Sequence, residues 1–477
     1  MNDMGSGKIY DVLIVGAGPV GLATAIALRQ RGINNLLVID RTRSFRRVGQ
    51  VVDLLPNGLK ALKYIDEQAY QQVKATGLDF IQIRRQKSDG KEQKTPRKLF
   101  WCQKNLLGEV IRSIPLDFDF WFHRYGEGRI SIPWYDLQTN LRNLLPSEIV
   151  KVNHRCVNFS QETAYVQVDC ISGDEKYNNP FAHWEMQSLN QVTDVNSDPQ
   201  KCERQQFQAK LVVAADGINS TIRQLIYCNS DLNQWAKPSY SGFVAIGCLE
   251  IDNISNEIIQ ELENKYFQGE RVVTLRNDSL KSNVQNIDSP RLILIRRAEN
   301  ALGYLFHTPL SLDLLENKSP EAIINLAANI LTKADFPPIF SQLIKLSNIE
   351  QLICRPYYIH PANIPHSQPI WSSERLVLVG DAAHGMPPFA AQGANQGLED
   401  AAIIGTAIST IIDNNALDNQ EIISHLFSKY EQLRRPFMEK IQEATMKNHN
   451  WSQTEWDSYS DAVYSRNVED LISNFTA

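Results

Sequence analysis

The sequence predicts an α/β fold built on a parallel sheet, and three stretches of the chain carry that prediction. An apolar strand at Val12–Val15 runs straight into a glycine-rich turn and then into small and apolar residues suited to a helix. Two later apolar strands, at 211–215 and 376–379, each end beside an aspartate and a glycine. Since open α/β sheets bind ligands at the carboxyl ends of their strands, we expect these three turns to lie together.

The first turn has the spacing G-x-G-x-x-G, with glycines at Gly16, Gly18 and Gly21. In a dinucleotide-binding turn these glycines permit the tight bend, the approach of the backbone to a pyrophosphate, and close packing of helix on strand. The next apolar run, Asn35–Ile39, ends at Asp40, about 20 residues past the glycines, where an acid accepts hydrogen bonds from ribose. That acid would repel a 2′-phosphate, so the site favours the adenosine of FAD or NAD over that of NADP. A turn that binds nothing explains neither the spacing nor the acid.

Composition bounds the class of protein. The 477 residues suffice for two or three domains, and the hydrophobic (43%) and charged (21%) fractions are ordinary for a globular protein. The net charge of −6 argues against nucleic-acid binding, which requires a basic patch. Seven cysteines without a C-x-x-C pair fit reduced thiols, and we expect no disulfide framework and no metal site. The polar N-terminus and the short apolar run around 401–412 predict no signal peptide and no transmembrane segment, so we expect a cytoplasmic protein.

The remaining pattern predicts further strands, one long loop and C-terminal helices. Strands are predicted at Phe80–Ile83, Leu99–Cys102, Glu109–Ile114, twice within Val150–Cys170, at Gly242–Ile251 and within Leu292–Pro309. A helix is predicted at Pro320–Lys333, an extended loop at 172–206, and helices from about 393 to near Asn448. The tail after 450 has no pattern that can be assigned.

The second and third turns have signatures of their own. The strand at 211–215 is followed by Asp216-Gly217, Ser220 and Arg223, and the strand at 376–379 by Gly380-Asp381-Ala382-Ala383-His384, Pro388, Gly393, Ala394 and Asn395. Taken singly, either acid is equally well an ordinary turn aspartate, because Asp-Gly favours turns. Asp381 could also be a helix N-cap. Three such turns in one chain are much harder to explain in that way.

Together the motifs resemble the flavoprotein aromatic hydroxylases, the single-component FAD monooxygenases of the para-hydroxybenzoate hydroxylase type. The segment Asp216–Arg223 is similar to the D-G fingerprint of that family, and Gly380–His384 to its G-D fingerprint. Pro56-Asn57-Gly58-Leu59 and Tyr430-Glu431-x-x-Arg434 are weaker matches. The resemblance covers about residues 8–440.

The resemblance implies a set of FAD contacts. The pyrophosphate would be held by Gly16, Gly18, Pro19 and Gly21, and the adenosine ribose by Asp40, with Arg41 beside the adenine and Arg47 near the flavin. Asp216 and Gly217 would line FAD and the path of the nicotinamide cofactor, and Gly380 and Asp381 would meet the ribityl chain.

A helix that begins near Gly393-Ala394-Asn395, after Pro388, would point its free N–H groups at the flavin ring. Its positive end would stabilise negative charge on the reduced ring. His384 is expected to be a structural histidine of the motif more readily than a catalytic base.

The implied architecture is a Rossmann-like FAD-binding domain, discontinuous in sequence, with an inserted antiparallel β-sheet domain for the substrate and C-terminal helices. The predicted boundaries are 8–78, 129–230 and 350–410 for the FAD-binding domain, 79–128 and 231–349 for the substrate domain, and 411–477 for the helical segment. The aromatic residues of the second domain suggest a hydrophobic substrate, although core packing must account for most of them. They are Phe80, Phe100, Trp101, Phe118, Trp121, Phe243, Tyr304 and Phe306.

Two positions depart from the family pattern. Ala391 stands where the family usually has a glycine, and its methyl group could narrow the space beside the flavin. Trp134 stands where the family often has an arginine that contacts phosphate, and either Arg129 or Gln138 could replace that arginine.

The implied activity is that of an NAD(P)H-dependent monooxygenase with FAD as cofactor. NAD(P)H reduces FAD, O2 adds to give a flavin hydroperoxide, and one oxygen atom hydroxylates or epoxidises a hydrophobic, aromatic small molecule. No second dinucleotide fingerprint occurs, which fits a nicotinamide that binds transiently. No catalytic residue is singled out, and the protein is expected to be a monomer or homodimer. Two alternatives stay open: an FAD-dependent reductase of the prenyl-chain reductase type, and a non-enzymatic flavin-binding protein.

Overall fold

A computed structural model describes residues 8–42, 50–89, 100–172, 203–278, 290–298, 301–365 and 369–476. Arg47, predicted to lie near the flavin, falls outside these residues, as does most of the predicted loop at 172–206. Two large sheets dominate the fold, and the helices pack around them.

The strands are β1 (Ile9–Val15), β2 (Leu36–Ile39), β3 (Val51–Leu54), β4 (Phe100–Lys104), β5 (Val110–Pro115), β6 (Ile130–Pro133), β7 (Val150–Lys151), β8 (Arg155–Gln161), β9 (Val166–Ser172), β10 (Glu203–Ala214), β11 (Ser239–Ile251), β12 (Val272–Arg276), β13 (Arg291–Ala298), β14 (Ala301–Pro309), β15 (Leu352–Ile359), β16 (Ser372–Ser373) and β17 (Leu376–Leu378).

The helices are α1 (Pro19–Gln30), α2 (Pro56–Ile65), α3 (Glu67–Asp89), α4 (Phe118–Tyr125), α5 (Trp134–Asn143), α6 (Thr221–Tyr227), α7 (Asn256–Leu262), α8 (Pro320–Lys333), α9 (Pro338–Lys345), α10 (Asp381–His384), α11 (Gly393–Asp413), α12 (Gln420–Lys447), α13 (Gln453–Tyr464) and α14 (Val468–Thr476).

The first sheet has eight strands, with the path β16-β17-β10-β1-β2-β7. The pairs β17–β10, β10–β1, β1–β2 and β2–β7 are parallel. The strand β9 pairs with β10 in antiparallel orientation, and β8 pairs with β9 to form a hairpin. Val12, Leu13 and Ile14 have no exposed surface, and they share one hydrophobic core with residues of α1 and α11. Continuous apolar strands of this kind are typical of parallel sheets that are covered on both faces. The predicted Rossmann-like α/β architecture is confirmed.

The second sheet has seven strands in the order β15-β11-β14-β13-β12-β4-β5. Its neighbours are antiparallel, except that β4 runs parallel to β12. Alternate side chains, among them Leu275, Leu292 and Phe306, enter a core with α8 and α9, and the intervening residues form the opposite face. This is the inserted sheet that the sequence predicts.

Three sequence-based assignments of secondary structure and domain are wrong. Phe80–Ile83 is part of α3 and not a strand, because Ala69, Tyr70, Val73 and Gly77 are buried at helical spacing and continue the helix past the predicted boundary at 78/79. The strand Leu352–Ile359 pairs with β11 of the second sheet, although its residues were assigned to the FAD-binding domain. The loop predicted up to 206 ends by Glu203, where β10 begins.

The tail after 450, which the sequence left unassigned, forms α13 and α14. Ser452 and Glu455 form a capping box at the start of α13, since each side chain accepts from the backbone N–H of the other residue. Tyr464 packs edge-on against Trp121 and Tyr125 of α4, with ring centroids 5.3 and 5.5 Å apart. No helix in the described ranges is long and apolar enough to cross a membrane.

Candidate active site

The three turns singled out in the sequence lie side by side at one edge of the first sheet. Their strands β1, β10 and β17 are adjacent and parallel, so their carboxyl ends coincide. Backbone hydrogen bonds join these ends, from Ala215 N to Val15 O (2.8 Å) and from Val379 N to Ala214 O (3.0 Å). A cleft at the carboxyl edge of such a sheet is where doubly wound folds bind ligands.

The glycine-rich turn has the geometry that dinucleotide binding requires. Gly16 has a φ of +110°, and a Cβ there would lie 2.3 Å from Ala215 O. A Cβ on Gly21 would lie 1.9 Å from Gly16 O, so both positions require glycine for packing. A Cβ on Gly18 would meet nothing within 4 Å, so this part of the backbone faces open space. Pro19 begins α1, whose first turn has neither a side-chain cap nor an acid, and its N–H groups are available to an anion.

Asp40 ties the end of β2 to this turn. Its carboxylate accepts hydrogen bonds from Ala17 N (2.6 Å) and Thr42 N (2.7 Å). A carboxylate can accept about four hydrogen bonds, so capacity remains for a ribose hydroxyl. Arg41 follows it directly in the chain, at the same end of the strand.

Gln138, one of the two residues that could replace the arginine of the family pattern, contacts the glycine-rich turn. Its Nε2 donates to Ala17 O at 2.6 Å, and the side chain is buried. Arg129 instead forms an ion pair with Asp53, with the two atoms 2.9 Å apart. Gln138 is therefore the residue of α5 that contacts the glycine-rich turn.

Asp216 holds the start of α6 and leaves one atom unsatisfied. Its Oδ2 accepts from Thr221 N (2.7 Å) and Ile222 N (3.3 Å), whereas the buried Oδ1 has no hydrogen-bond partner among the described residues. Burial raises the pKa of this carboxyl above its ordinary value. Gly217 follows with a φ of +79° and with open space where a Cβ would lie.

Arg223 connects the second turn to the third, a role that the sequence did not reveal. The side chain is fully buried, and its guanidinium donates to Ala382 O (3.1 Å), Ala383 O (3.0 Å) and Trp235 O (3.1 Å). These bonds fix α10 against α6. The arginine of the D-G segment thus has a structural role: it holds the second and third turns together.

The G-D turn is held from behind by a buried ionic network. Asp400 accepts from Gly380 N (2.9 Å), from His384 Nε2 (2.5 Å) and from Arg434 Nε (2.8 Å), and Arg434 also pairs with Glu399 (2.5 Å). Although burial opposes it, the nearby His384 and Arg434 hold the pKa of Asp400 well below its usual range. His384 has no exposed surface, which favours the structural role expected for it.

Asp381 is the first residue of α10, and the N-cap position belongs to Gly380, so the N-cap alternative for Asp381 is wrong. Asp381 is an exposed residue, and its neighbours within the protein still act on its carboxyl group. Desolvation by the surrounding protein raises the pKa of this carboxyl; His384 opposes the shift, and the Asp400 charge adds to it. Its Oδ1 lies 3.7 Å from the position that a Cβ of Gly393 would take, so the acid stands before the start of α11.

The start of α11 presents backbone rather than side chains to the cleft. Asn395, predicted to contact the cofactor, uses its side chain within the protein: it accepts from Leu55 N (2.8 Å) and donates to Asp53 O (3.0 Å) and Ala391 O (2.6 Å). Gly393 and Ala394 are partly exposed, Pro388 is exposed, and the first turn of α11 contains no acid. The N–H groups of this helix therefore supply the local positive charge.

A layer of aromatic rings forms the contact between the second sheet and the loop before α11. The Phe389 ring lies 5.3 Å from Phe243, 5.1 Å from His307 and 5.4 Å from Tyr357, measured between centroids. The Tyr357 hydroxyl and His307 Nε2 are 3.2 Å apart, and burial, aided by the Arg291 charge, lowers the pKa of His307 well below its usual value. Of the aromatic residues that suggested a substrate site, Phe243 lies in this layer, whereas Tyr304 and Phe306 belong to the core on the other face. Sequence analysis did not single out His307 or Tyr357, because they come together only when β14 and β15 pair with β11.

The residues of the cleft fit FAD. Gly18 and Gly217 leave open space beside their backbones, and the starts of α1 and α11 offer uncapped N–H groups to a pyrophosphate and a flavin. Asp216 Oδ1 is a buried acceptor that awaits a donor. The described residues include no group of three or more His, Cys, Asp or Glu residues that could hold a metal ion.

Comparison with known proteins agrees with this fit. A family model described as an FAD binding domain matches residues 9–53 and 367–445. An FAD-dependent monooxygenase of Aspergillus terreus is 40% identical over 81 residues, which are 17% of this chain and 20% of that protein. The 6-hydroxynicotinate 3-monooxygenase of Bordetella bronchiseptica is 21% identical over 446 residues, covering 93% of this chain and 92% of that protein. A solved salicylate hydroxylase substrate complex has a TM-score of 0.66 at 14% identity and covers 98% of both chains.

The fold and the site define an FAD-binding oxidoreductase. The chain is an oxidoreductase that is similar to FAD-dependent monooxygenases of the flavoprotein aromatic hydroxylase type, and FAD is its cofactor. The resemblance read from the three turns is confirmed. The contacts assigned to individual residues stay predictions.

Proposed function

We propose that this protein uses NAD(P)H and O2 to insert one oxygen atom into an aromatic small molecule by hydroxylation or epoxidation. The observation that carries the proposal is the position of the aromatic layer. Phe389 belongs to the loop between the G-D turn and α11, and its ring packs against Phe243 of the second sheet. A substrate held against this layer would lie over the edge of the cleft that fits FAD.

When bound, FAD accepts a hydride from the nicotinamide and passes electrons to O2. The residues of the chain bind, orient and exclude water. The uncapped N–H groups at the start of α11 favour negative charge in the cleft. Buried Phe243 and Tyr357 exclude water from the side of the second sheet, which protects a reactive oxygen species from decay. His307 is held neutral by burial and is hydrogen-bonded to Tyr357, so this pair is an uncharged polar contact on the second sheet.

The test is oxygen-dependent consumption of NADPH or NADH by the FAD-loaded protein, with and without a pool of phenolic and hydrophobic metabolites. We expect the pool to stimulate consumption, and a product that gains oxygen to appear. Turnover of the pool in the absence of oxygen would favour the reductase alternative instead. Failure of both nicotinamides to reduce the flavin under every addition would refute the proposal.

A pair of variants connects this activity to the cleft. Asp381→Asn should weaken FAD binding about tenfold, because a charge-assisted hydrogen bond to the cofactor is replaced by a weaker one. Asp119→Asn, at an exposed aspartate of α4, should bind FAD as the wild type does. Full FAD affinity and activity in Asp381→Asn would show that the flavin site is wrongly placed.

We further propose a cytoplasmic location and a monomeric or homodimeric protein that binds no nucleic acid. The six cysteines in the described ranges are free thiols, and five of them are buried, which suits a reducing compartment. The net charge of −6 disfavours a polyanionic partner. Fluorescence microscopy of a tagged chain and sedimentation of the FAD-loaded protein test these two statements.

A further inference from the structure

A cavity of about 310 Å³ lies where the C-terminal segment packs against the edge of the second sheet. The described residues that line it belong to β5, α4 and α13, and we call it the α13 cavity. In another protein an apolar cavity of roughly 150 Å³ is large enough to bind benzene. The α13 cavity therefore has room for an aromatic ring and its substituents.

Four aromatic residues line the α13 cavity. Trp121, Tyr125 and Trp456 are buried, with exposed fractions of 3%, 6% and 8%, and the Trp121 and Tyr125 rings are 5.5 Å apart. Phe120 is 41% exposed, so the cavity reaches the surface beside it. Aromatic walls attract a further ring through offset and edge-on contacts.

The α13 cavity is separate from the cleft that fits FAD. Behind Trp456, the guanidinium carbon of Arg112 lies 4.5 Å from the centre of the indole ring, and Arg112 Nη1 donates to Asn448 O at 3.1 Å. Asn448 Nδ2 in turn donates to Phe389 O at 2.9 Å. Two residues thus stand between the wall of the α13 cavity and the aromatic layer, and a ligand in this cavity lies outside the cleft.

The charges around the α13 cavity favour an uncharged ligand. Arg124 pairs with two acids, since its Nη1 lies 3.8 Å from Asp457 Oδ1 and its Nη2 lies 2.9 Å from Asp461 Oδ1. The Arg112 charge already lies against the Trp456 ring and would repel a second cation there. The Asp457 carboxylate would repel an anion.

Asp457 offers a hydrogen-bond acceptor to the α13 cavity. Its Oδ1 accepts from Gln453 Nε2 at 3.0 Å, and Gln453 Oε1 accepts from Ser113 N of β5 at 2.9 Å, so the carboxylate is held by a side chain that is itself tied to the sheet. A carboxylate can accept about four hydrogen bonds, so capacity remains for a ligand. A hydrogen bond to a charged acceptor is roughly twice as strong as one between neutral groups.

We propose that the α13 cavity binds an uncharged aromatic compound that carries an O–H or N–H donor, with phenol as the simplest example. The ring lies among Trp121, Tyr125 and Trp456, and the donor bonds to Asp457. This is a second small-molecule site, outside the cofactor cleft. It is independent of the proposed function, because it needs neither the flavin nor O2.

The experiment observes the cavity directly by 19F NMR of the FAD-loaded full-length protein labelled with 5-fluorotryptophan. Trp121→Phe and Trp456→Phe assign the two resonances, and the flavin absorption spectrum of the same samples monitors the cleft. We expect phenol to shift both resonances in a saturable way with a Kd of about 1 mM, an ordinary affinity for a ligand of this size. Toluene, which has a methyl group in place of the hydroxyl, tests the contribution of the donor.

Two variants with the same substitution test the acceptor. Asp457→Asn should weaken phenol about fivefold and leave toluene unchanged, because an amide replaces the charged acceptor. Asp119→Asn is the matched control, at an exposed aspartate of α4 that does not line the cavity, and it should bind both probes as the wild type does. Because Asp457 lies partly exposed on a helix, this substitution should leave the fold intact.

Several results would overturn the inference. The absence of a saturable shift of either resonance at 10 mM phenol, about tenfold above the expected Kd, would exclude a site in the α13 cavity. A change of the flavin spectrum without these shifts would confine phenol to the cleft. Wild-type phenol affinity in Asp457→Asn, or an equal loss in Asp119→Asn, would show that Asp457 does not accept from the ligand.

Discussion

At position 391 the backbone adopts the left-handed conformation, with a φ of +52°, although the residue is alanine. Ala391 closes the turn between the loop at 388–390 and α11, since its N–H donates to Pro388 O at 3.0 Å. The family pattern has a glycine here, and the structure gives the physical reason. An L-residue in this region costs roughly 1–2 kcal/mol, a strain that glycine does not carry.

We predict that Ala391→Gly stabilises the protein by about 0.5–1 kcal/mol, because relief of strain exceeds the entropy cost of glycine. Urea unfolding of the FAD-free protein measures this difference. Ala390→Gly is the matched control: Ala390 is buried in the preceding 3-10 turn, and its loss should destabilise. A destabilised Ala391→Gly protein would contradict the role assigned to the backbone.

The buried Asp216 carboxyl is expected to bind FAD, but its charge lowers the stability of the folded protein. Burial raises the pKa of its carboxyl, so the folded state disfavours the charged form, and stability is lost as the pH rises above 3.8 through the raised folded value. We expect Asp216→Asn to make the FAD-free protein more stable at pH 7, with the difference shrinking toward pH 4. The amide keeps an acceptor for Thr221 N and has no charge to desolvate.

Thermal unfolding of the FAD-free proteins between pH 4 and pH 8 measures this effect, with exposed Asp119→Asn as the control. The same Asp216→Asn variant should bind FAD about tenfold more weakly, because the acceptor with no protein partner is replaced by a donor. A stability difference that stays constant over this pH range would show that desolvation of the charge is not its cause.

At the scale of elements, an ionic network between two helices supports the G-D turn. The first, α11, carries Glu399 and Asp400, and the second, α12, carries Arg434, which binds both acids without exposed surface. Asp400 in turn receives Gly380 N and His384 of the G-D turn. The weak Tyr430-Glu431-x-x-Arg434 motif thus has a structural role, because Glu431 also accepts from Ile370 N and Trp371 N at the entry to β16.

We predict that Arg434→Leu destabilises the protein by about 3–5 kcal/mol and releases FAD, since two buried carboxylates lose the arginine that they share. Lys447→Met on the same helix, at an exposed lysine, should leave stability unchanged. Chemical unfolding together with the flavin content of the purified protein tests both variants. Wild-type stability in Arg434→Leu would contradict the bracing role of this network.

The elements also show why sequence reasoning succeeded in some places and failed in others. The strands and turns at Gly16, Asp216 and Gly380 were predicted, because glycine and aspartate requirements are local. The helix α3 was mistaken in part for a strand at Phe80–Ile83, since a short apolar run has no distinctive period. The strand β15 was placed in the wrong domain, because its pairing with β11 joins residues about a hundred positions apart.

At the scale of the whole molecule, the parallel sheet supplies the cofactor cleft and the second sheet supplies a cover. The sequence did not predict which residues of the second sheet lie together. Arg291, His307 and Tyr357 belong to separate strands, and they come together only when the sheet forms. The structure therefore places a buried arginine beside aromatic residues, an arrangement that the sequence did not predict.

The central claim is that one atom of O2 reaches the substrate in this cleft, and isotope transfer tests it most directly. The FAD-loaded protein would be supplied with NAD(P)H, the metabolite pool and 18O2, and the products would be analysed by mass spectrometry. The account predicts one 18O atom in each molecule of product and none when the label is placed in water. Product that forms without O2, or that takes its oxygen from water, would contradict it.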